Sequence, residues 1–173
     1  MTKHGIPTVP NRSEKATAAD SVQTPTDVAR WVVNHFKPAG TKLEPACGDG
    51  SFLAALGRSA DWCEIKQGRD FLKYDGHVDW IITNPPYSIY DVFLKKCFEV
   101  ADNIVFLCPI AKAFKSQKTD RMLTEYGGIK ELVLMGGGQS LGFAFGFPCG
   151  CIHFQRGYAG PITLTRARDW RIK

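Results

Sequence analysis

Asn84-Pro85-Pro86-Tyr87 is the segment whose residue types come closest to spelling out a reaction. It follows the apolar run Val78–Thr83, which reads as a strand covered on both faces. Pro85 and Pro86 stiffen it, and Pro85 confines Asn84 to extended backbone. Such a loop presents two fixed oxygens, Asn84 Oδ1 and the main-chain carbonyl of Pro85. An exocyclic amine has two hydrogens to donate, one to each. Gripped in this way, its lone pair turns out of ring conjugation and toward an electrophile. A methyl sulfonium needs only an aligned nucleophile, so placement and local dipoles supply most of the catalysis. Tyr87 adds a flat face on which a base can stack. An amine inside a duplex is out of reach, so its base must be flipped out before direct in-line transfer.

A second constellation lies upstream. Leu43-Glu44-Pro45-Ala46-Cys47-Gly48-Asp49-Gly50-Ser51-Phe52 sits between a strand and a helix. Gly48 and Gly50 allow a tight turn and close ligand approach, and the next helix offers free N–H groups. The spacing is neither the dinucleotide fingerprint nor a phosphate loop. Glu44, Ala46, Cys47 and Gly48 are therefore candidates for a nucleoside-bearing cofactor. Glu64, at the end of the second strand, can accept from ribose hydroxyls, and Asp70 in the next loop can accept from an adenine amino group. Phe71 is placed to pack on the adenine ring.

Thr24-Pro25-Thr26, then Glu44-Pro45-Ala46-Cys47-Gly48-Asp49-Gly50, then Asn84-Pro85-Pro86-Tyr87 together resemble an amino-methylating DNA methyltransferase, in the motif order of the gamma class. The similarity covers roughly residues 21–155. It implies S-adenosylmethionine as cofactor and a Rossmann-like class I methyltransferase fold, a mainly parallel seven-stranded sheet with the last strand antiparallel. It implies that the methionine carboxylate of the cofactor lies near Thr24, and that Asn84 borders both cofactor and substrate. It also implies an aromatic residue before the last strand that clamps the flipped base, for which Phe143, Phe145 and Phe147 are the candidates. Buried core aromatics are the plainer reading of those three. The resemblance points to N6 of adenine in DNA. N4 of cytosine, an RNA base, a protein glutamine, and a non-catalytic nucleic-acid-binding subunit remain as alternatives. Many DNA-specific members carry a separate target-recognition domain, for which this chain has little room, so a partner subunit could supply recognition.

These residues need a scaffold, and the hydrophobic pattern supplies one. Helices are expected from Thr26, over Ser51–Leu56, Tyr90–Ala101 and Lys118–Tyr126, with Val92, Phe93, Cys97 and Val100 facing inward on the third. Strands are expected at Thr41–Pro45, Trp62–Ile65, Val78–Thr83, Ile104–Pro109, Ile129–Met135, Gly150–Gln155 and Ile162–Thr165, with Gly157–Pro161 joining the last two as a hairpin. Strands alternating with helices give a mainly parallel sheet in a single α/β domain over 21–173, preceded by a loose arm over 1–20.

The remaining charges and thiols fit this frame. The formal net charge of +5 suits a polyanionic partner without requiring one. Lys112, Lys115, Lys118 and Arg121 cluster after the fourth of the long apolar runs, where they can neutralise phosphates; a solvated charged face is the plainer alternative. Arg166, Arg168, Arg171 and Lys173 offer the same near the C-terminus, and Arg156 reads as a strand-end charge. Gly136-Gly137-Gly138-Gln139 reads as a mobile loop. Pro148-Cys149 resembles a nucleophilic thiolate motif, but attack by an amine needs no enzyme thiolate. Cys149, Cys151 and His153 alternate along a strand without a second ligand pair, so no metal site is expected. The six cysteines read as reduced intracellular thiols. The amino-terminal residues have no signal-peptide core and no apolar run is long enough to span a bilayer, so a cytoplasmic protein is expected, in a bacterial or phage-infected cell.

Overall fold

Ile81 and Ile82 are adjacent in sequence, point to opposite faces, and are both fully buried. That is possible only where a sheet is covered on both sides, and it fixes the layout of the molecule. The computed structural model describes residues 22–114 and 116–167. In chain order the elements are α1 (Thr26–Phe36), β1 (Lys42–Glu44), α2 (Ser51–Leu56), β2 (Asp61–Trp62), β3 (Val78–Thr83), α3 (Tyr90–Val100), β4 (Ala101–Pro109), α4 (Gln117–Tyr126), β5 (Gly127–Gly137), β6 (Pro148–Arg156) and β7 (Thr163–Arg166). They build one seven-stranded sheet in the order β2-β1-β3-β4-β6-β5-β7. β2, β1, β3 and β4 run parallel, β6 is antiparallel to both β4 and β5, and β7 is parallel to β5.

The two faces carry two cores. On one, Tyr90, Phe93, Leu94, Cys97 and Phe98 of α3 pack on Ile81, Ile104, Phe106 and Phe154. On the other, Val28, Ala29 and Val32 of α1 and Phe52 and Leu56 of α2 pack on Ile82, Val105, Leu107 and Val133. Strand alternation in β4 sends Ile104 and Phe106 to the first core and Val105 and Leu107 to the second. Truncating a ring as deeply buried as Phe106, fully inaccessible here, costs about 3–5 kcal/mol in such cores.

The seven-stranded, mainly parallel sheet expected from the sequence is present, but its antiparallel strand is the penultimate one, β6, and the last strand, β7, runs parallel to β5. Several details differ. β7 is not the second half of a hairpin with β6: both edges of β6 are taken by β4 and β5, so β7 adds to the outer edge of β5. β2 ends at Trp62, because Glu64 caps a 3₁₀ turn at Ile65–Gln67 by accepting from the Lys66 N–H at 3.0 Å. Val92 is 53% exposed, because the buried stripe of α3 runs through Tyr90, Phe93, Leu94, Cys97 and Phe98 and leaves Val92 on the other side. Gly136 and Gly137 end β5, and Gly138–Leu141 forms a 3₁₀ turn rather than an open loop. Arg156 is more than a strand-end charge: its guanidinium donates to the carbonyls of Phe98 and Ala101 and to Asp102, tying β6 to the α3–β4 turn. The amino-terminal arm and Arg168, Arg171 and Lys173 lie outside the described residues.

Candidate active site

β1 and β3 are parallel neighbours, with Leu43 beside Ile81. Their carboxyl ends therefore open side by side, and the Glu44–Gly50 and Asn84–Tyr87 loops leave the sheet together. β4 adds Ile110–Phe114 at the same edge. Because β6 is antiparallel, with Cys149 opposite Pro109, its amino end also lies there, and so does the 142–148 loop that feeds it. Four segments distant in sequence thus converge on one edge of the sheet, the place where open α/β folds bind ligands.

The glycine loop is held from two sides. Gly48, at φ +52°, donates its N–H to Glu64 Oε2 at 2.9 Å, and the Cys47 N–H donates to the Cys63 carbonyl at 3.0 Å. Asp49 Oδ1 accepts from the N–H and hydroxyl of Ser51, setting the start of α2. Both carboxylate oxygens of Glu64 are used by backbone N–H groups, so this acid shapes the loop as well as facing it. Asp70 caps its own turn, accepting from the Leu72 N–H at 3.0 Å. Phe71 is only 4% exposed, and its ring lies 4.8 Å from that of Phe93 within the core.

Glu44 is 1% exposed. Its Oε1 accepts from the Ala46 N–H at 3.1 Å, while Oε2 and the buried Thr83 hydroxyl form no hydrogen bond of good geometry. Burial pushes its carboxyl up from 4.5 to about 8, against the pull of the neighbouring Thr83 hydroxyl and the Ala46 N–H. A buried acid with one oxygen left over fits a loop built to receive a polar ligand group.

Asn84 is partly buried at the centre of the edge. Its Nδ2 donates to the Val22 carbonyl and to Thr24 Oγ1, both at 3.3 Å. Thr24 is 6% exposed. Gln23 Oε1, between them, accepts from the Asp49 N–H at 3.2 Å. The Asn84 loop therefore faces the glycine loop, with residues 22–24 touching both. Gln23 and Val22 were not singled out from the sequence, because nothing in their type or spacing marks them. Their role arises only when the chain ahead of α1 crosses the site.

The aromatic candidates separate in space. Phe143 is a core ring, 3% exposed. Phe145 stacks on it at 5.4 Å and meets the Tyr87 ring edge-on at 6.2 Å. Phe147 continues the row at 6.2 Å from Phe145 and is 66% exposed. Gly138 makes this possible: a Cβ there would lie 2.4 Å from the Phe145 carbonyl oxygen. Lys112 stands with its ammonium 5.5 Å from the Tyr87 ring centre. Lys118 and Arg121 are exposed on α4, and Lys115 lies outside the described residues. Cys149, Cys151 and His153 are buried along β6, where His153 hydrogen-bonds Asn103 at 3.1 Å and stacks on Trp80. All six cysteines are free and buried. Among the described residues, no helix is long and apolar enough to cross a membrane.

A groove of about 390 Å³ runs from Ala113 and Phe114 along Gln117, Asp120, Leu123 and Ile162. None of the site residues expected from the sequence lines it.

The chain superposes on solved structures. A Listeria monocytogenes protein described as a class I S-adenosylmethionine-dependent methyltransferase matches with a TM-score of 0.68 at 13% identity, over 92% of this chain and 70% of that one. The fold is that of a class I methyltransferase. The methyltransferase subunit of a type I restriction-modification system from Streptococcus thermophilus matches with a TM-score of 0.64 at 15% identity, over 88% of this chain. This chain spans about half of that subunit, 48% of its length. The 23S rRNA methyltransferase ErmE matches with a TM-score of 0.58 at 15% identity, over 74% of this chain and 66% of that one. No protein-family model matches the chain, and no curated protein matches it.

Proposed function

We propose that this protein transfers a methyl group from S-adenosylmethionine to an exocyclic amino nitrogen, N6 of adenine in DNA. One observation carries the reading. Asn84 directs its amide nitrogen toward Val22 and Thr24, so Oδ1 is left on the opposite side of the amide to accept from an incoming amine. With the Pro85 carbonyl it forms the pair of oxygens that an NH₂ group needs, immediately beside a glycine loop suited to a nucleoside.

The residues present fit the cofactor. Glu64 and Asp70 cap the two successive 3₁₀ turns after β2 and are the acids offered to ribose and adenine, Gly48 keeps the loop close, and Glu44 brings a spare buried oxygen beneath it. When bound, the sulfonium supplies the electrophilic methyl group. The protein's own residues orient the amine, stack the base and keep its proton donors aligned. Tyr87 offers one face for the base, and Phe145 or the more exposed Phe147 the other. Lys112, beside Tyr87, is placed for the phosphate of a flipped nucleotide. The restriction-modification methyltransferase subunit among the structural neighbours favours DNA as substrate and a partner subunit. The rRNA methyltransferase neighbour makes RNA the second reading.

Transfer of tritiated methyl from labelled cofactor into DNA, RNA and bulk protein tests this. Label is expected in DNA, with N6-methyladenine found by mass spectrometry of its nucleosides. Label in RNA alone would move the substrate, and label in none of the three would reject methyl transfer.

A further inference from the structure

Residues Val22–Thr24 form a strap across the mouth of the site. Gln23 pins it to the glycine loop through the Asp49 N–H at 3.2 Å. Pro25 caps the start of α1, with its carbonyl accepting from the Ala29 N–H at 3.0 Å, and so holds the other end. Between these anchors, the Val22 carbonyl and the Thr24 hydroxyl both accept from Asn84 Nδ2 at 3.3 Å.

A planar amide can sit in two ways. With its nitrogen toward the strap, Asn84 makes two hydrogen bonds. With its oxygen toward the strap, Oδ1 would face the Val22 carbonyl, which cannot donate, and only the Thr24 hydroxyl could pair with it. The main chain thus rejects the wrong orientation and Thr24 strengthens the right one.

We propose that the Val22–Thr24 strap is a positioning device for the transfer step, setting the Asn84 amide so that Oδ1 meets the amine, with Thr24 as the side chain that contributes. This rests on the amino-methylation reading of Asn84. It gives Thr24 a role toward the catalytic asparagine, distinct from the contact with the cofactor carboxylate that the sequence resemblance implies. The strap also joins the two loops: Gln23 reads the position of Asp49, and its neighbours read Asn84, so displacement of the glycine loop is felt at the acceptor.

Thr24→Val keeps shape and removes the acceptor, while Thr24→Ser keeps the hydroxyl. Each is measured by single-turnover methyl transfer, by calorimetric affinity for the cofactor, and by the ¹⁵N–¹H signals of the Asn84 side-chain amide, assigned from their loss in Asn84→Ala. Thr24→Val is expected to slow transfer about 10-fold, the effect of one hydrogen bond of modest geometry, with cofactor affinity held and the amide signals shifted. Thr24→Ser is expected to restore both rate and signals. Unmoved amide signals in Thr24→Val, or cofactor affinity falling in step with rate, would overturn the proposal. If the signals respond as expected while the wild-type protein labels no substrate, the strap's hold on the amide stands and the amino-methylation reading fails.

Discussion

Asn84 and Glu64 use their side chains differently at the strand edge. Asn84 donates from Nδ2 to the Val22 carbonyl and the Thr24 hydroxyl, and in the proposed reaction its Oδ1 accepts from the amine. Glu64 spends both oxygens on main-chain N–H groups and so holds the glycine loop in place. Removal of the first should cost chemistry, and removal of the second should cost binding. Asn84→Ala is expected to leave cofactor affinity within about two-fold while lowering turnover roughly 10²–10³-fold, the size seen when a preorganised polar group at a reacting centre is deleted. Calorimetry alongside single-turnover kinetics checks it. Equal losses in both would mean that Asn84 serves the cofactor rather than the amine. Asn84 was readable because it sits in a short motif of restricted composition, Asn-Pro-Pro-Tyr, and Glu64 because it follows the glycine loop at the end of an expected strand. Gln23 was not, because its partner, the Asp49 N–H, lies 26 residues away and no local pattern encodes that contact.

Among the elements, those that form from local signals were legible. Ser51–Leu56 and Val78–Thr83 have the bounds that their apolar periodicity implies. Elements whose limits depend on distant partners were not. β5 runs from Gly127 to Gly137, well beyond its apolar centre, because β6 pairs along its whole length. The late hairpin failed for the same reason: both edges of β6 were already taken by strands that sequence proximity does not reveal. The 142–148 loop illustrates the site counterpart. Three phenylalanines alternate in sequence, yet burial grades them from Phe143 at 3% to Phe147 at 66%. Phe143→Ala is expected to destabilise the fold by about 3–5 kcal/mol, read in chemical denaturation. Phe147→Ala is expected to leave stability unchanged within ~0.5 kcal/mol and to weaken substrate binding roughly 5- to 150-fold, about 1–3 kcal/mol, if a base stacks on it. A Phe147 variant with unaltered substrate affinity would leave Phe145 as the ring opposite Tyr87.

At the scale of the whole molecule, two buried titratable groups give folding a pH dependence of opposing sign. His153, packed against Trp80 at 4% exposure, is held neutral, its pKa lowered by burial from 6.5 to about 4. The unfolded chain binds that proton first, so the stability tied to His153 is lost as pH falls from 6.5 toward about 4. Glu44 acts in reverse. Its carboxyl is raised by burial from 4.5 to about 8, so the folded chain keeps a proton that the unfolded chain gives up. Its contribution is complete below 4.5 and is lost as pH rises through about 8. Between 4.5 and 6.5 the two slopes oppose each other, and above 6.5 the decline belongs to Glu44. Glu44→Gln keeps a carbonyl oxygen for the Ala46 N–H and removes the titration. Melting followed from pH 5 to pH 9 should show the wild-type Tm falling above pH 6.5, while the variant, which keeps His153, rises to about pH 6.5 and is nearly flat beyond it. The gap at the alkaline end is expected to reach several degrees, since each kcal/mol moves Tm by roughly 2–4 °C in a chain of this size. Parallel declines in the two proteins would show that Glu44 ionises freely in the folded state, and that the buried oxygen beneath the glycine loop already carries its charge before any ligand arrives.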